Sequence, residues 1–182
     1  MDFEFRNDIK IPKARIAILI GVGGSVKEKI EDNLNVKLDI DSKEGDVVIS
    51  SNDALDILTA ENIIKSIGRG FNPDISLNLL KPDFSLEILY LSDYGSTSPS
   101  QFMRLKGKVI GKDGKSRTTI ESLADCNINV YGKTISILGR LENVSIARRA
   151  VESLLTGSPH SSVYKWLEKK RRELLQKERN FM

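Results

Sequence analysis

The apolar and polar residues of this chain follow two patterns, one typical of strands and one typical of helices. Apolar residues at every second position, as in the segments VKLDI and VVIS, predict β-strands. Apolar residues spaced by three or four, such as Val26, Ile30 and Leu34, predict one face of a helix. Up to Gly70 these patterns follow the order strand, helix, helix, strand, strand, helix, with a glycine-rich turn between the first two helices.

The same order of elements occurs a second time. The segment IGVGGSVKEKI (20–30) aligns with IGKDGKSRTTI (110–120), and the alternating strand pattern that follows also repeats at the offset of 90. This period is too long for a solenoid repeat and indicates a duplicated domain. We therefore predict a first domain at 1–80, which includes a linker helix, and a second domain at 81–182. The second domain carries an extra C-terminal helix after Gly157, and its polar segment 92–100 is predicted to be a mobile loop.

Composition adds three points to this picture. The net charge is only +3, so a nucleic-acid site must arise from local clustering of basic residues. Cys126, the single cysteine, occupies an apolar strand position and is predicted to be a buried structural thiol. The first residues show no signal-peptide pattern, and the longest apolar run, at 14–22, is shorter than the ~20 residues that cross a bilayer. We expect a soluble, cytoplasmic and monomeric protein.

The glycine-bounded turn has a composition that suits phosphate binding. Glycine lets another backbone approach closely, and the amides at the start of the following helix attract anions. Two commoner phosphate motifs do not fit, because a P-loop needs glycine in place of Val109 and the dinucleotide fingerprint needs glycine in place of Val26. A lone Gly-x-x-Gly turn is a weak signal, whereas two copies at equivalent places in the same order of elements are a strong one.

With these elements and the signature Ile-Gly-x-x-Gly before a helix, the chain resembles a tandem pair of type I KH domains. The resemblance implies an α+β fold in which each domain has the order β-α-α-β-β-α, with a three-stranded antiparallel sheet and helices on one face. KH domains bind about four nucleotides of single-stranded RNA or DNA, and the turn clamps the nucleic-acid backbone.

Four further segments sharpen the resemblance to one family. GRGF (68–71), GKVIGKDGKSR (107–117), YGKTISILG (131–139) and ARRAVESLLTGSPHSSVYKWLE (147–168) are similar to archaeal and eukaryotic pre-ribosomal KH proteins that partner the NOB endonuclease. This resemblance implies binding of single-stranded RNA near the 3′ end of small-subunit ribosomal RNA during ribosome biogenesis. It also implies a protein partner, either an rRNA-processing endonuclease or a translation initiation factor.

The two turn regions differ in charge, which predicts that the second domain is the main RNA clamp. The predicted main site consists of Arg104, Lys106, Lys108, Ile110, Gly111, Lys112, Asp113, Gly114, Lys115 and Arg117. The predicted weaker site consists of Gly21, Val22, Gly23, Gly24, Lys27, Arg69 and His160. Ser25, in capping-box spacing with Glu28, is expected to occupy helix amides that Lys115 leaves open in the second copy. The KH resemblance places the bases beside Ile110 and the strand 128–130.

Some residues have two open interpretations. His160 either shapes the start of the last helix or contacts RNA, and Arg69 is either a phosphate ligand or a cation at a helix C-terminus. Trp166 is expected to dock onto its own domain rather than to stack on bases. The basic block 169–172 alternates with acidic residues, so it suits a salt-bridged helix surface as well as an RNA contact.

Catalysis has little support in the sequence. One histidine and one cysteine provide no Ser-His-Asp or Cys-His arrangement, and no carboxylate pair is marked out as a two-metal site. We expect no enzymatic activity, no metal and no cofactor. Two alternatives to the RNA-binding interpretation stay open. One is a protein-interaction scaffold that recruits an rRNA-processing or translation factor with little RNA binding of its own, and the other is an RNA-processing enzyme.

Overall fold

A computed structural model of the chain describes residues 3–95 and 97–180. These residues form two compact units, and the boundary between the units lies between Phe84 and Ser85. Each unit has its own three-stranded sheet.

The first unit contains three strands and four α-helices in its described part. Their bounds are β1 Phe5–Lys10, α1 Lys13–Ile20, α2 Ser25–Leu34, β2 Lys37–Ile40, β3 Asp46–Ser51, α3 Ala54–Gly68 and α4 Pro73–Ser76. The strands are antiparallel in the order β1-β3-β2, so β2 is an edge strand, and Leu38 pairs with Ile49. Asp53 caps the start of α3, because its carboxylate accepts the Leu55 N–H at 2.8 Å.

The second unit repeats this order and adds one long helix. Its elements are β4 Phe84–Tyr90, α5 Pro99–Ile110, α6 Lys115–Ala124, β5 Cys126–Tyr131, β6 Thr134–Arg140, α7 Leu141–Leu155 and α8 His160–Asn180. The sheet has the order β4-β6-β5, which leaves β5 at an edge as β2 is in the first unit. The prediction of an α+β fold with two three-stranded antiparallel sheets and a C-terminal helix is confirmed.

The core of each unit lies between the sheet and its helices. Leu38 and Ile49 of the first sheet are fully buried together with Ile30 of α2. Ile120 of α6 and Ile137 of β6 are buried to the same extent in the second unit. Burying a side chain of this size contributes roughly 1.5–3 kcal/mol, so these apolar positions are the main source of stability.

The alternation of apolar residues along β4 predicts one face of the strand as the core face, and the structure buries the other face. Leu89 and Leu91 are buried in the core, whereas the apolar residues at positions 84, 86, 88 and 90 are half-buried or exposed. Glu87 made the core face look polar in the sequence. Its side chain is 41% exposed, and its carboxylate pairs with Arg148 of α7 at 3.1 Å.

The predicted loop at 92–100 is partly structured. Leu91–Tyr94 form a 3₁₀ helix, and the Tyr94 hydroxyl donates to Glu152 of α7 at 3.3 Å. Ser98 and Gln101 form a capping box at the start of α5. These contacts attach both ends of the segment to the unit, and Ser96 lies outside the described residues.

Helix α8 packs on α6 and α7. Leu167 is fully buried, and the Arg171 guanidinium donates to the Ser122 carbonyl of α6 at 3.1 Å. Trp166 packs partly buried against the core, and the guanidinium of Arg149 lies 5.3 Å from its ring centroid. The docked position of Trp166 agrees with the predicted packing role.

Cys126 should be inert towards thiol reagents while the protein is folded. It is 9% exposed, and burial, with smaller effects of Glu121 and Asp125, raises its thiol pKa to about 12. At pH 8 only about one thiol in ten thousand would then be the reactive thiolate. Ellman's reagent should react slowly with native protein and rapidly in denaturant; equal rates in the two conditions would contradict the buried position.

Candidate nucleic-acid interface

The two glycine turns have the same backbone conformation. In residues 21–24 and 111–114 the first glycines have φ of 76° and 72°, and the last glycines have φ of 87° and 75°. The third residues have φ of 61° and 54°, both in the left-handed region. Asp113 occupies this third position in the second turn, and aspartate is one of the few non-glycine residues that tolerate it.

The first and last glycines of each turn have different roles. A Cβ on Gly111 would lie 2.6 Å from the Ser116 Cβ, and a Cβ on Gly21 would lie 2.6 Å from Val26 Cγ2. The first glycine is therefore required for close packing of the turn against the next helix. A Cβ on Gly114 would meet nothing within 4 Å, so the last glycine faces open space that a ligand backbone can enter.

The helices after both turns begin without a side-chain cap. Gly24 and Gly114, both left-handed, are the N-cap residues of α2 and α6. Ser25 is the first helical residue, with φ of −58° and ψ of −34°, and forms no capping hydrogen bond. The predicted occupation of helix amides by Ser25 is therefore wrong, and both turns present an uncapped helix start to an anion.

Five basic side chains around the second turn have no acidic partner. Arg104, Lys112 and Lys115 are exposed, and Lys106 and Lys108 are half-exposed. None of the five forms an ion pair within the ranges 3–95 and 97–180. Their charge therefore stays available at the turn.

Three of the four basic residues near the first turn are held by other groups, and the fourth, Lys29, is exposed without an ion pair among the described residues. Lys13 pairs with Glu44 at 3.7 Å, and Lys27 pairs with Glu31 at 3.9 Å. The Arg15 guanidinium donates to the carbonyls of Ile67 and Phe71, at 2.7 and 2.8 Å, and so fastens the end of α3 to α1.

The tip of the first turn is apolar. Val22 is 93% exposed at the position that Lys112 occupies in the second turn. The two turns thus share a backbone conformation but differ in unpaired positive charge. This difference is larger than the numbers of basic residues near the two turns indicate.

Beside each turn the following helix packs on the edge strand, α2 on β2 and α6 on β5. In the second unit Ile110 and Val130 are half-buried, but Ile128 is only 3% exposed and belongs to the core. The expectation that Ile128 lines a surface for the bases is therefore wrong, because its side chain points to the helices.

A carboxylate joins the helix after the turn to the edge strand in both units. Glu121 of α6 accepts the Ile128 N–H at 2.7 Å, and Glu31 of α2 accepts the Leu38 N–H at 2.8 Å. These bonds satisfy a backbone donor on each edge strand. Sequence reasoning missed the two glutamates, although they align at the repeat offset.

His160 and Arg69 lie at helix ends. The His160 ring Nε2–H donates to the Lys108 carbonyl at 2.7 Å, so His160 joins the start of α8 to the end of α5 beside the second turn. His160 thus lies beside the second turn, and its weaker contribution to RNA binding stays a prediction. Arg69 is the C-cap residue of α3, and its backbone N–H donates to the Lys65 carbonyl at 2.9 Å.

The described residues contain no candidate metal site and no candidate membrane-spanning helix. No group of three or more His, Cys, Asp and Glu side chains in this part of the chain could hold a metal ion. No described helix is long and apolar enough to cross a membrane.

Comparison with known proteins gives a match in each unit. Residues 7–66 match the KH domain family, and residues 85–172 match the eukaryotic-type KH domain (KH-domain type I). A KH domain-containing protein of Methanocaldococcus jannaschii is 48% identical over 170 residues, which are 91% of this chain and 74% of that protein.

Two other relatives carry more specific names. The pre-rRNA-processing protein PNO1 of Coccidioides immitis is 33% identical over 72% of this chain, which spans about half (52%) of the fungal protein. A chain in the crystal structure of the a/eIF2alpha–aDim2p–rRNA complex of Pyrococcus horikoshii is 39% identical, with a TM-score of 0.84 over 93% of this chain and 95% of that chain.

Alanine substitution of the two glycines of the second turn should have unequal effects on stability. Gly111→Ala combines a positive φ with a steric clash and should lower the free energy of unfolding by about 3 kcal/mol. Gly114→Ala has only the positive φ and should lower it by about 1 kcal/mol. Urea unfolding followed by the fluorescence of Trp166, the single tryptophan, measures both; equal shifts would contradict the assigned roles.

Proposed function

Because the chain belongs to the family of tandem KH proteins that includes the pre-rRNA-processing PNO1 proteins, we propose that it binds single-stranded RNA in pre-rRNA processing. The proposed target is the 3′ end of small-subunit (pre-)rRNA, and the proposed main clamp is the second KH domain. The proposed role in ribosome biogenesis is to hold and present RNA rather than to cleave it.

The observation that carries the proposal is the free positive charge at the second turn. Five basic side chains lie on α5, in the turn and at the uncapped start of α6, and none is neutralised by an acid among the described residues. Lys112 and Lys115 flank the last two positions of the turn. Uncapped helix amides and unpaired lysines attract phosphate, which supplies most of the affinity of nucleic-acid binding.

In the proposed mechanism a phosphate sits on the backbone of residues 111–114. The open side of Gly114 admits it, and Lys112 and Lys115 balance its charge. The following bases then lie beside Ile110 and Val130, where half-buried apolar surface supports them. The first domain would bind RNA more weakly, since its turn presents Val22 where the second turn presents Lys112.

The names of the relatives support the RNA target. The fungal relative is called a pre-rRNA-processing protein, and the archaeal relative was crystallised in a complex with rRNA. We extend rRNA binding from these proteins to this chain.

Giving the second turn the residues of the first should weaken RNA binding. In the double variant Lys112→Val with Lys115→Ser, the turn matches Val22 and Ser25 of the first unit. We expect a loss of about 10- to 100-fold in affinity for a single-stranded RNA with the 3′-terminal small-subunit sequence. The slope of log affinity against log salt should shrink by about 1.4, since each lost phosphate contact removes about 0.7. Fluorescence anisotropy at several salt concentrations measures both quantities.

A charge-matched control separates the two domains. Lys27→Val with Lys29→Ser removes the same charge from α2, three and five residues after Gly24. This double variant should lower the RNA affinity much less. An equal loss in the two double variants would contradict the asymmetry. The reciprocal change Val22→Lys with Ser25→Lys should strengthen binding, because the two turns share one backbone conformation.

A second candidate function is recruitment of a protein partner, and the surface beside α8 favours it. A groove of about 460 Å³ between α7 and α8 has four apolar lining residues, Leu141, Ile146, Trp166 and Leu174, and its other lining residues are five charged side chains and a serine. Leu141 is 67% exposed, so it offers an apolar contact beside charged groups. The archaeal relative was crystallised with a/eIF2alpha, so we propose a translation initiation factor or an rRNA-processing endonuclease as the partner.

Leu141→Glu should weaken binding of a/eIF2alpha about tenfold and leave RNA affinity unchanged. A central apolar contact of an interface is typically worth 1 kcal/mol or more, and a carboxylate would remain unpaired there. The control is Leu55→Glu, since Leu55 is 71% exposed on α3 of the first unit. Surface plasmon resonance with immobilised a/eIF2alpha measures both variants; equal effects would exclude the α8 groove as the site.

A further inference from the structure

Arg117 differs from the other basic residues of the second turn region. It is the only one of the six for which the described residues provide an acidic partner, because its Nε lies 3.8 Å from Oε2 of Glu121. This distance is too long for a hydrogen bond. Nε is buried and forms no hydrogen bond, although 40% of the side chain is exposed. A buried donor without a partner costs about 1–3 kcal/mol, so this position calls for an explanation.

The Arg117 side chain points away from the proposed phosphate site at residues 111–114. Glu121 lies one helical turn farther along α6, and its other oxygen accepts the Ile128 N–H of edge strand β5 at 2.7 Å. Arg117 therefore reaches towards Glu121, whose carboxylate contacts β5, and away from Gly114. Lys112 and Lys115, in contrast, stay exposed at the turn.

The charge balance of Arg117 suits a neutral ligand better than an anion. Glu121 balances the positive charge of the guanidinium but occupies none of its N–H donors by a hydrogen bond. An ion-paired guanidinium attracts a phosphate weakly, because the nearby carboxylate repels the anion. Its donors keep their fixed planar geometry, which recognises an acceptor pair on a base edge.

The first unit contains the same arrangement with lysine. Lys27 stands at the repeat position of Arg117 and lies 3.9 Å from Glu31, which accepts the Leu38 N–H at 2.8 Å. Glu31 is also 3.6 Å from Lys37, so two cations share this carboxylate. Lysine presents a compact point charge and lacks the paired donors of arginine.

We propose that Arg117, oriented by Glu121, reads a guanine base beside α6 of the second domain, and this inference rests on the proposed RNA-binding function. The guanidinium donates to O6 and N7 of guanine, a base edge that offers two acceptors at the right spacing. The O2 and N3 acceptors of cytosine form a comparable pair, so the test includes cytidine. Adenine presents an amino donor in place of O6 and is rejected. Lys27 cannot form the paired bonds, so the first domain discriminates bases less at the equivalent position.

The test uses oligouridine hexamers with one guanosine placed at each position in turn. Matched sets carry adenosine, cytidine or 7-deazaguanosine, which lacks the N7 acceptor. For the native protein we expect one position at which guanosine binds about 5- to 100-fold more tightly than any of the three. Arg117→Lys keeps the charge and copies the Lys27–Glu31 pair, so the fold should be retained while the preference is lost.

Two further variants test the positioning role of Glu121. Glu121→Gln keeps an oxygen that accepts the Ile128 N–H but removes the charge that orients Arg117, and it should reduce the guanosine preference more than the affinity for plain oligouridine. Lys27→Arg should create a new guanosine preference in the first domain. Thermal unfolding of each variant checks that the fold is intact.

The possible results separate this inference from the proposed function. Salt-sensitive RNA binding with no guanosine preference in the native protein would overturn the inference alone. Arg117→Lys or Arg117→Ala weakening all oligonucleotides equally, with the salt slope reduced by about 0.7 for the alanine variant, would identify Arg117 as a phosphate ligand and overturn it too. Absence of salt-sensitive binding to any RNA would overturn the proposed function itself.

Discussion

The structure of each unit depends on the close approach of two helices at a glycine turn. At Gly21 and Gly111 the following helix leaves no room for a Cβ, since the nearest atom would be 2.6 Å away. This contact sets how closely the two helices approach each other at the turn. The last two residues of each turn are left-handed, and the helix that follows begins uncapped. The same four residues thus allow the close packing and present helix amides to an anion.

The two copies show that a shared backbone does not give a shared site. Both turns have closely similar φ values, and in both units a glutamate holds an edge-strand amide. What differs is whether the nearby cations are already neutralised. An ion-paired lysine, or an arginine bound to helix carbonyls like Arg15, contributes little to the field that a phosphate experiences. Free charge, rather than the number of basic residues, distinguishes the second domain as the proposed clamp.

Helix α8 connects this site to the rest of the second domain. Its first residue, His160, bonds to the carbonyl of Lys108 two residues before Ile110, so the end of α5 is held from outside the repeated unit. Farther along, Leu167 is buried in the core and Arg171 bonds to α6. The helix therefore braces both helices that flank the turn, and the exposed groove beside its second half remains for a partner.

The sequence by itself determined the order of elements, the duplication and the position of the turns. Apolar periodicity and glycine spacing are local properties, so they can be read without knowing which residues meet in space. Only the tertiary structure decided the core face of β4, the burial of Ile128 and the failure of Ser25 to cap α2. It alone paired Lys13 with Glu44 and left Lys112 and Lys115 unpaired. These outcomes depend on contacts between residues distant in the chain, or on side-chain direction, and neither is encoded in residue spacing.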